Sequence, residues 1–138
     1  MSPADNQRQL VDDFTILPDV QERLSAAVTR AAVRKMADVL RTDEALVRGC
    51  SSRVWLAHEG DARSVKFCAE ADSPMVHGLV NLLVDVYSGC AAGDIVQTEP
   101  ELWQSLGFNK MLSPTRLNGL AAVRKRMVEI ASSLLAAS

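Results

Sequence analysis

Long apolar runs, an excess of one charge and a leader-like N-terminus are all missing from this sequence. No window approaches about 18 consecutive apolar residues, so we expect no membrane-spanning helix. The 15 Lys and Arg residues stand against 17 Asp and Glu, and the formal net charge of −2 argues against nucleic acid and anionic membranes as partners. Residues 1–13, MSPADNQRQLVDD, are polar and acidic, which disfavours a signal or transit peptide and leads us to expect a cytoplasmic protein.

Cysteine and histidine are too few and too scattered for a disulfide framework or a zinc site. The three cysteines, Cys50, Cys68 and Cys90, are odd in number and widely spaced, and no C-x-x-C occurs. The two histidines, His58 and His77, lie far apart in the sequence, whereas structural zinc sites use closely spaced pairs of ligands. The chain therefore offers up to three free thiols.

The length of 138 residues predicts one domain, covering residues 1–138, whose core is large enough to need neither disulfides nor metal. Within this domain we expect residues 1–13 to form either a loosely ordered N-terminus or a short helix. The hydrophobic content of 48% and the charged content of 23% are those of an ordinary globular protein.

The period of the apolar residues changes along the chain. Residues 19–40 repeat apolar side chains with a period near that of a helix, which predicts helix over this stretch. The segments SRVWLA (52–57) and SVKFCA (64–69) flank a turn at Gly60 and predict an antiparallel hairpin. Leu46–Arg48 is a candidate third short strand.

Two serine–proline pairs mark the starts of the later helices. Ser73–Pro74 opens a mostly apolar helix that ends at Gly89, and Ser113–Pro114 opens an amphipathic helix near the C-terminus. Between them, Thr98 and Glu101 predict a capping box. The order is therefore helices, a small antiparallel sheet of about three strands, and helices again, which predicts an α+β fold.

Cys50 differs from the other thiols in its neighbours, because it follows Gly49 and precedes two serines in VRGCSSRVWL. Turn residues just before a strand place the thiol in a loop, where partial exposure would let it act as a thiolate nucleophile. The alternative is a small buried hydrophobe, and the residues leave both interpretations open. Cys68, within a strand, and Cys90, after Gly89, are expected to be structural.

The remaining chemically active side chains are expected to lie in solvent. His58 or His77 could serve Cys50 as a base in a cysteine-hydrolase arrangement. We expect surface positions for both instead, with His77 on the polar side of its helix beside Asn81. The run Arg124–Lys125–Arg126 has no interleaved aromatic residues, and we interpret it as a solvated helix face rather than a nucleic-acid site.

Three motifs, VRGCSSRVWL, ADSPMVHGLVNLLVDVYSG and LSPTRLNGL, in this order and spacing resemble the SufE family, which includes SufE and its paralogue CsdE. The likeness runs from about Phe14 to the end of the last helix. It implies an α+β fold related to that of the scaffold IscU, and no cofactor of its own. It also implies that Cys50 takes sulfur from the persulfide of a group II cysteine desulfurase, stimulates that enzyme, and passes the sulfur to an Fe–S cluster scaffold or another acceptor.

The same resemblance implies roles for two residues near Cys50. Arg116 matches the arginine of the family's S-P-T/S-R motif, and a guanidinium there would lower the pKa of the Cys50 thiol and favour the thiolate. Asp72 matches a family aspartate that is tied to presentation of the cysteine, and we expect it to hold the loop by capping the following helix. A sheltered resting loop, released on docking, would protect the persulfide.

This sequence departs from the family motif G-C-Q-S-Q-V-W, because Ser51 and Arg53 replace its two glutamines. The charge of Arg53 is expected to raise the thiolate character of Cys50 or to change the docking face. Two other functions stay open. One is a regulatory binding module that acts on a desulfurase by docking alone, and the other is a cysteine hydrolase with a histidine beside Cys50.

Overall fold

The computed structural model describes residues 1–138 as seven α-helices, a β-hairpin and one 3-10 turn. Helices α1 to α7 span Pro3–Phe14, Val20–Ala31, Pro74–Tyr87, Ala92–Gln97, Leu102–Ser105, Phe108–Met111 and Pro114–Ala137. Strands β1 and β2 span Val54–Asp61 and Ser64–Ala71, and the 3-10 turn covers Asp38–Leu40. No helix combines the length and the apolar character needed to cross a membrane. The α+β fold predicted from the sequence is confirmed.

The sheet has two strands instead of the expected three. β1 and β2 pair antiparallel along their whole length. The third strand predicted at Leu46–Arg48 is reduced to a single bridge between Leu46 and Trp55. It extends no further because Gly49, with a φ of +94°, turns the chain out into the loop that carries Cys50.

The N-terminal residues form a packed helix, the second of the two alternatives expected for residues 1–13. Ser2 caps α1 by accepting a hydrogen bond from the N–H of Asp5 at 3.1 Å, and Leu10 and Phe14 are buried in the core. The helix therefore contributes apolar surface to the single large core cluster of the molecule.

Helix α5 begins without the predicted capping box of Thr98 and Glu101. The side-chain oxygen Oε1 of Gln7 accepts hydrogen bonds from the N–H groups of Glu101 and Leu102, at 2.6 and 3.0 Å. The free donors at the start of α5 are thus satisfied by a distant residue on α1, which no local sequence signal could reveal.

Helix α2 ends at Ala31, well before Leu40, where the sequence period would end it. The N–H of Met36 donates to the carboxylate of Glu70 at 2.8 Å, which ties the segment after α2 to the end of β2. Met36 is buried there, whereas Val39 and Leu40 are exposed. A tertiary hydrogen bond to the hairpin takes the place of continued helix.

Helix α3 lies at the centre of the fold, in contact with α1, α2, α7 and β2. Gly78 allows α2 to approach closely, because a Cβ at this position would lie 3.0 Å from the Cα of Val28. Leu79, Leu83 and Tyr87 are fully buried on this helix. The packing fixes the start of α3 beside the end of the hairpin, where the candidate site lies.

His77 is buried, and the expectation of a solvated side chain is wrong. The N–H of Ala71 donates to Nδ1 at 3.1 Å, so Nε2 carries the proton and donates to the carbonyl of Ala31 at 2.9 Å. Helix α2 and the end of β2 cover this side of α3, although polar residues such as Asn81 give it the appearance of a solvent face. His58 is exposed on β1.

Arg124 is buried as well, so the predicted solvated face of Arg124–Lys125–Arg126 is wrong at its first residue. Its Nη2 donates to the carbonyls of Ile95 and Thr98 at 2.9 and 2.8 Å. Its guanidinium carbon lies 4.7 Å from the centroid of the Tyr87 ring, within the range of a cation–π contact. The end of α4 leaves carbonyl groups without helical partners, and the guanidinium satisfies them.

Candidate functional site

The candidate site is a loop of residues 48–53 that leads into β1. Two backbone hydrogen bonds close its base. The N–H of Val47 donates to the carbonyl of Val54 at 2.8 Å, and the N–H of Asp72 donates to the carbonyl of Arg53 at 3.1 Å. The loop ends are therefore tied to the hairpin and to the approach to α3, and the tip lies between them.

Gly49 determines the direction of the loop. Its φ of +94° lies in the left-handed region that favours glycine. A Cβ at this position would also lie 3.2 Å from the Cβ of Ala122, a tight contact with α7. The glycine before the cysteine thus lets the loop fold back against α7, so that Cys50 faces that helix.

The thiol of Cys50 is half-buried against α7. Its Sγ donates a hydrogen bond to the carbonyl oxygen of Gly119, 3.4 Å away. A small pocket with room for about 20 Å³ adjoins the sulfur. The pocket is lined by apolar side chains of α3 and α7 together with one cation, and these include Val76, Leu79, Val80, Leu120, Val123 and Arg116.

Burial raises the pKa of the Cys50 thiol above its ordinary value. The expectation that a neighbouring guanidinium lowers this pKa is therefore wrong for the resting loop, because desolvation in the apolar pocket dominates. Arg116 does line the same pocket, half-buried near the start of α7, where its N–H donates to the capping Ser113 Oγ at 3.3 Å. In this position the thiol is protonated and a poor nucleophile.

Asp72 and Arg53 form an ion pair at the end of the loop. The Nε of Arg53 donates to Oδ2 of Asp72 at 2.7 Å, and the Arg53 guanidinium lies 5.2 Å from the ring centroid of Trp55. The predicted capping role of Asp72 is wrong, since Ser73 caps α3 by accepting from the N–H of Val76. Asp72 instead holds the loop through its backbone N–H and its carboxylate, both of which bind Arg53.

Neither histidine lines the pocket of Cys50. Both ring nitrogens of His77 are engaged by backbone groups of other elements, and His58 lies on the exposed part of β1. No residue is therefore placed to act as an imidazole base for the thiol, and the geometry does not support the cysteine-hydrolase alternative.

The other two thiols lie in ordinary structural surroundings. Cys90 is fully buried and accepts a hydrogen bond from Nδ2 of Asn6 at 3.4 Å. Cys68 is half-buried on β2, directly opposite Ala57. Burial raises the pKa of both thiols.

The site also contains two contacts that sequence reasoning missed. The acceptor for Cys50 is the main-chain carbonyl of Gly119, and the loop rests on Ala122. Main-chain carbonyls carry no residue-specific signal, so only the packing of the loop on α7 could identify this partner.

A family model described as an Fe-S metabolism associated domain, SufE, matches residues 8–131. The chain belongs to the SufE family. A SufE-like protein of Rhizobium etli is 34% identical over 135 residues, covering 94% of this chain and 91% of the relative. A SufE-like protein of Rhizobium meliloti is 32% identical, with 94% and 96% covered.

The fold recurs in a solution structure of a hypothetical protein from Thermus thermophilus, with a TM-score of 0.78. The two structures match over 99% of this chain and 98% of the other. Their sequences are only 19% identical, so the likeness concerns the fold alone. The resemblance drawn from the three SufE motifs is thus confirmed, and the SufE family is one of Fe–S metabolism.

Proposed function

We propose that this SufE-family chain is a sulfur carrier, which takes sulfur from the persulfide of a group II cysteine desulfurase onto Cys50 and delivers it for Fe–S cluster assembly. The observation that supports the proposal most directly is the placement of the thiol. Cys50 sits at the tip of a loop that is anchored at both ends, and its sulfur rests in a small pocket. A carrier needs such a sulfur, which is protected at rest and able to reach another protein.

The transfer step is thiol–persulfide exchange. After the loop leaves its pocket, Cys50 loses its proton to solvent, and its thiolate attacks the outer sulfur of the desulfurase persulfide. A new S–S bond forms on Cys50, and the desulfurase cysteine leaves as a thiolate that takes up a proton. Removal of the persulfide frees the desulfurase for another turnover, which is how the carrier stimulates its partner.

The raised pKa of the resting thiol supports a division between a closed and a reactive state. Inside the pocket, desolvation keeps Cys50 protonated. Outside it, that desolvation is relieved, and the nearby guanidinium of Arg116 would favour the thiolate and the persulfide anion. The side chain of Arg116 makes no hydrogen bond or ion pair within the chain, so it is available to an anion.

The proposal is tested by intact-protein mass spectrometry after mixing the protein with a group II cysteine desulfurase and free cysteine. We expect a mass gain of one sulfur atom that a reductant removes. Cys50→Ser should abolish the gain, whereas the matched control Cys68→Ser, at another half-buried thiol, should keep it.

Stimulation of the desulfurase, measured in the same mixtures, separates the carrier from a regulatory module. A carrier loses its stimulation in Cys50→Ser. A protein that stimulates equally well as Cys50→Ser, and gains no sulfur, acts by docking alone, and this result would overturn the proposal.

A further inference from the structure

The tip of the Cys50 loop is tied to the rest of the fold by one hydrogen bond. Residues 48–49 form a local turn, and between Arg48 and Ser52 only the thiol of Cys50 donates to another element, at the carbonyl of Gly119. The remaining contacts of the tip are van der Waals contacts, such as that of Gly49 with Ala122. The chemical state of one sulfur atom therefore decides whether the tip is hydrogen-bonded to α7.

Loading with sulfur removes that tether for a covalent reason. In the thiol, Sγ bonds to Cβ and to the proton that it donates. In a persulfide, Sγ bonds to Cβ and to the outer sulfur, so it carries no proton whatever the pH. The carbonyl oxygen of Gly119 then faces a sulfur atom that has only lone pairs, so this hydrogen bond is lost.

The space beside the thiol offers no substitute for this hydrogen bond. The adjoining pocket has room for about 20 Å³, close to the space that one water molecule needs. Gly119 contributes no side chain, and even a Cβ there would lie 3.8 Å from Sγ. An outer sulfur takes up this space but brings no donor to the carbonyl of Gly119, so the loss of the hydrogen bond is not made good.

We infer that Gly119 is a positioning residue whose carbonyl oxygen holds the Cys50 loop in its pocket only while Cys50 is an unloaded thiol, and that loading releases the loop tip. The empty carrier is closed until a partner opens it, and the loaded carrier samples the open state more readily. The inference rests on the proposed function in one respect only, which is that a desulfurase is the natural source of the added sulfur.

Hydrogen–deuterium exchange of the amides of residues 48–53 tests the inference without a desulfurase. All forms carry Cys68→Ser, so Cys50 is the one half-buried thiol that is left. The other thiol, Cys90, is fully buried. Four forms are compared: the thiol, the same protein treated with methyl methanethiosulfonate, Cys50→Ser and Cys50→Ala. The reagent attaches a methylthio group to Cys50, so Sγ bears a second sulfur and no proton.

The thiol and Cys50→Ser both carry a donor, and their loop amides should exchange slowly and alike. The methylthio form and Cys50→Ala lack the donor, and their loop amides should exchange about two- to fivefold faster, since sulfur is a weak donor. The exchange rate of each β2 amide should be the same in all four forms. A general loss of stability would instead raise the exchange rates of β2 as well as those of the loop.

Equal loop exchange in the thiol and in Cys50→Ala would overturn the inference. If the methylthio form alone exchanged faster, the size of the added group, and not the lost hydrogen bond, would explain the release of the loop. A final sample, loaded by a desulfurase and cysteine, should match the methylthio form. Failure to load at all would count against the proposed function, while the comparison of Cys50→Ser with Cys50→Ala would still decide the role of Gly119.

Discussion

The Nε of Arg53 lies 2.7 Å from Oδ2 of Asp72, and this ion pair joins the end of the Cys50 loop to the residue before the cap of α3. The two side chains are 68% and 45% exposed, so the pair contributes little to global stability. Its effect is geometric, because it adds to the backbone hydrogen bond between the same two residues.

Breaking the ion pair should loosen the loop and leave the fold intact. In a Cys68→Ser background, Arg53→Gln and Asp72→Asn should each change the free energy of unfolding by less than about 1 kcal/mol. Alkylation of Cys50 by iodoacetamide should become about two- to fivefold faster, because one anchor of the loop base is lost.

Asp61→Asn, which breaks the exposed pair with Arg63 at the hairpin turn, is the control and should leave the alkylation rate unchanged. Equal alkylation rates in all variants would show that the Arg53–Asp72 ion pair does not anchor the loop.

Alkylation of Cys50 should follow a pH profile displaced to the alkaline side. Burial raises the pKa of this thiol, so the midpoint of the rate profile should lie above that of the same protein unfolded in denaturant. The raised folded pKa also means that the thiol's contribution to stability is present below the unfolded pKa and is lost as the pH rises through the folded pKa. A midpoint below that of the unfolded protein would instead indicate that a cation, such as Arg116, controls the resting thiol.

Gly119→Ala should stabilise the unloaded protein and shorten the life of the loaded one. Alanine is favoured over glycine inside a helix by about 0.5–1 kcal/mol, and the new Cβ would be at an ordinary contact distance of 3.8 Å from Sγ. The same methyl group occupies space that an outer sulfur needs beside Cys50. Chemical denaturation measures the first effect, and the decay of the persulfide mass in dilute reductant measures the second. A lifetime equal to that of the wild type would show that the pocket does not shelter the loaded sulfur.

Arg124→Ala should destabilise the protein by about 1–3 kcal/mol, because the carbonyls of Ile95 and Thr98 lose a buried donor. Lys125→Ala, at the exposed neighbouring position of the same helix, is the matched control and should change stability by less than about 0.5 kcal/mol. The two free energies of unfolding are measured by urea denaturation. Similar values for the two variants would contradict a structural role for the buried guanidinium.

Tyr87 should ionise only in strongly alkaline solution. It is the single tyrosine of the chain, so the ultraviolet absorbance of tyrosinate reports it alone. Burial raises its pKa to about 12, against the opposing effect of the Arg124 guanidinium. The raised pKa gives a stability contribution that is complete below the unfolded pKa and is lost as the pH rises through about 12. A titration midpoint near the ordinary value of about 10 would show that the ring and its hydroxyl are not buried in solution.

Local chemistry accounts for the features of the fold that the sequence predicted. Ser73–Pro74 and Ser113–Pro114 start helices α3 and α7 because the serine caps and the proline needs no N–H at the first position. The hairpin predicted around Gly60 is present, with Gly60 paired in β1 and the turn at Ala62–Arg63 just beyond it. Each of these signals depends on residues that are neighbours in the chain, so the sequence alone carries it.

Three of the failed predictions, at the start of α5, at His77 and at Arg124, share one cause, which is a partner from a distant part of the chain. Gln7 replaces the local cap of α5 from 94 positions away, and helix α2 and the hairpin enclose His77. Polarity alone does not distinguish a solvated side chain from one that finds backbone partners inside the protein. Arg124 is the clearest case, since a buried guanidinium and an exposed one look identical in the sequence.

The sequence by itself determined the family, the order of helices and strands, and the position of the candidate thiol in a loop, because motifs and turn residues act locally. Only the tertiary structure decided how that thiol rests. It turned Cys50 toward α7, raised its pKa by burial and paired Arg53 with Asp72. These properties depend on which surfaces pack together, and the hydrogen bond from Cys50 ends on a main-chain carbonyl that every residue possesses.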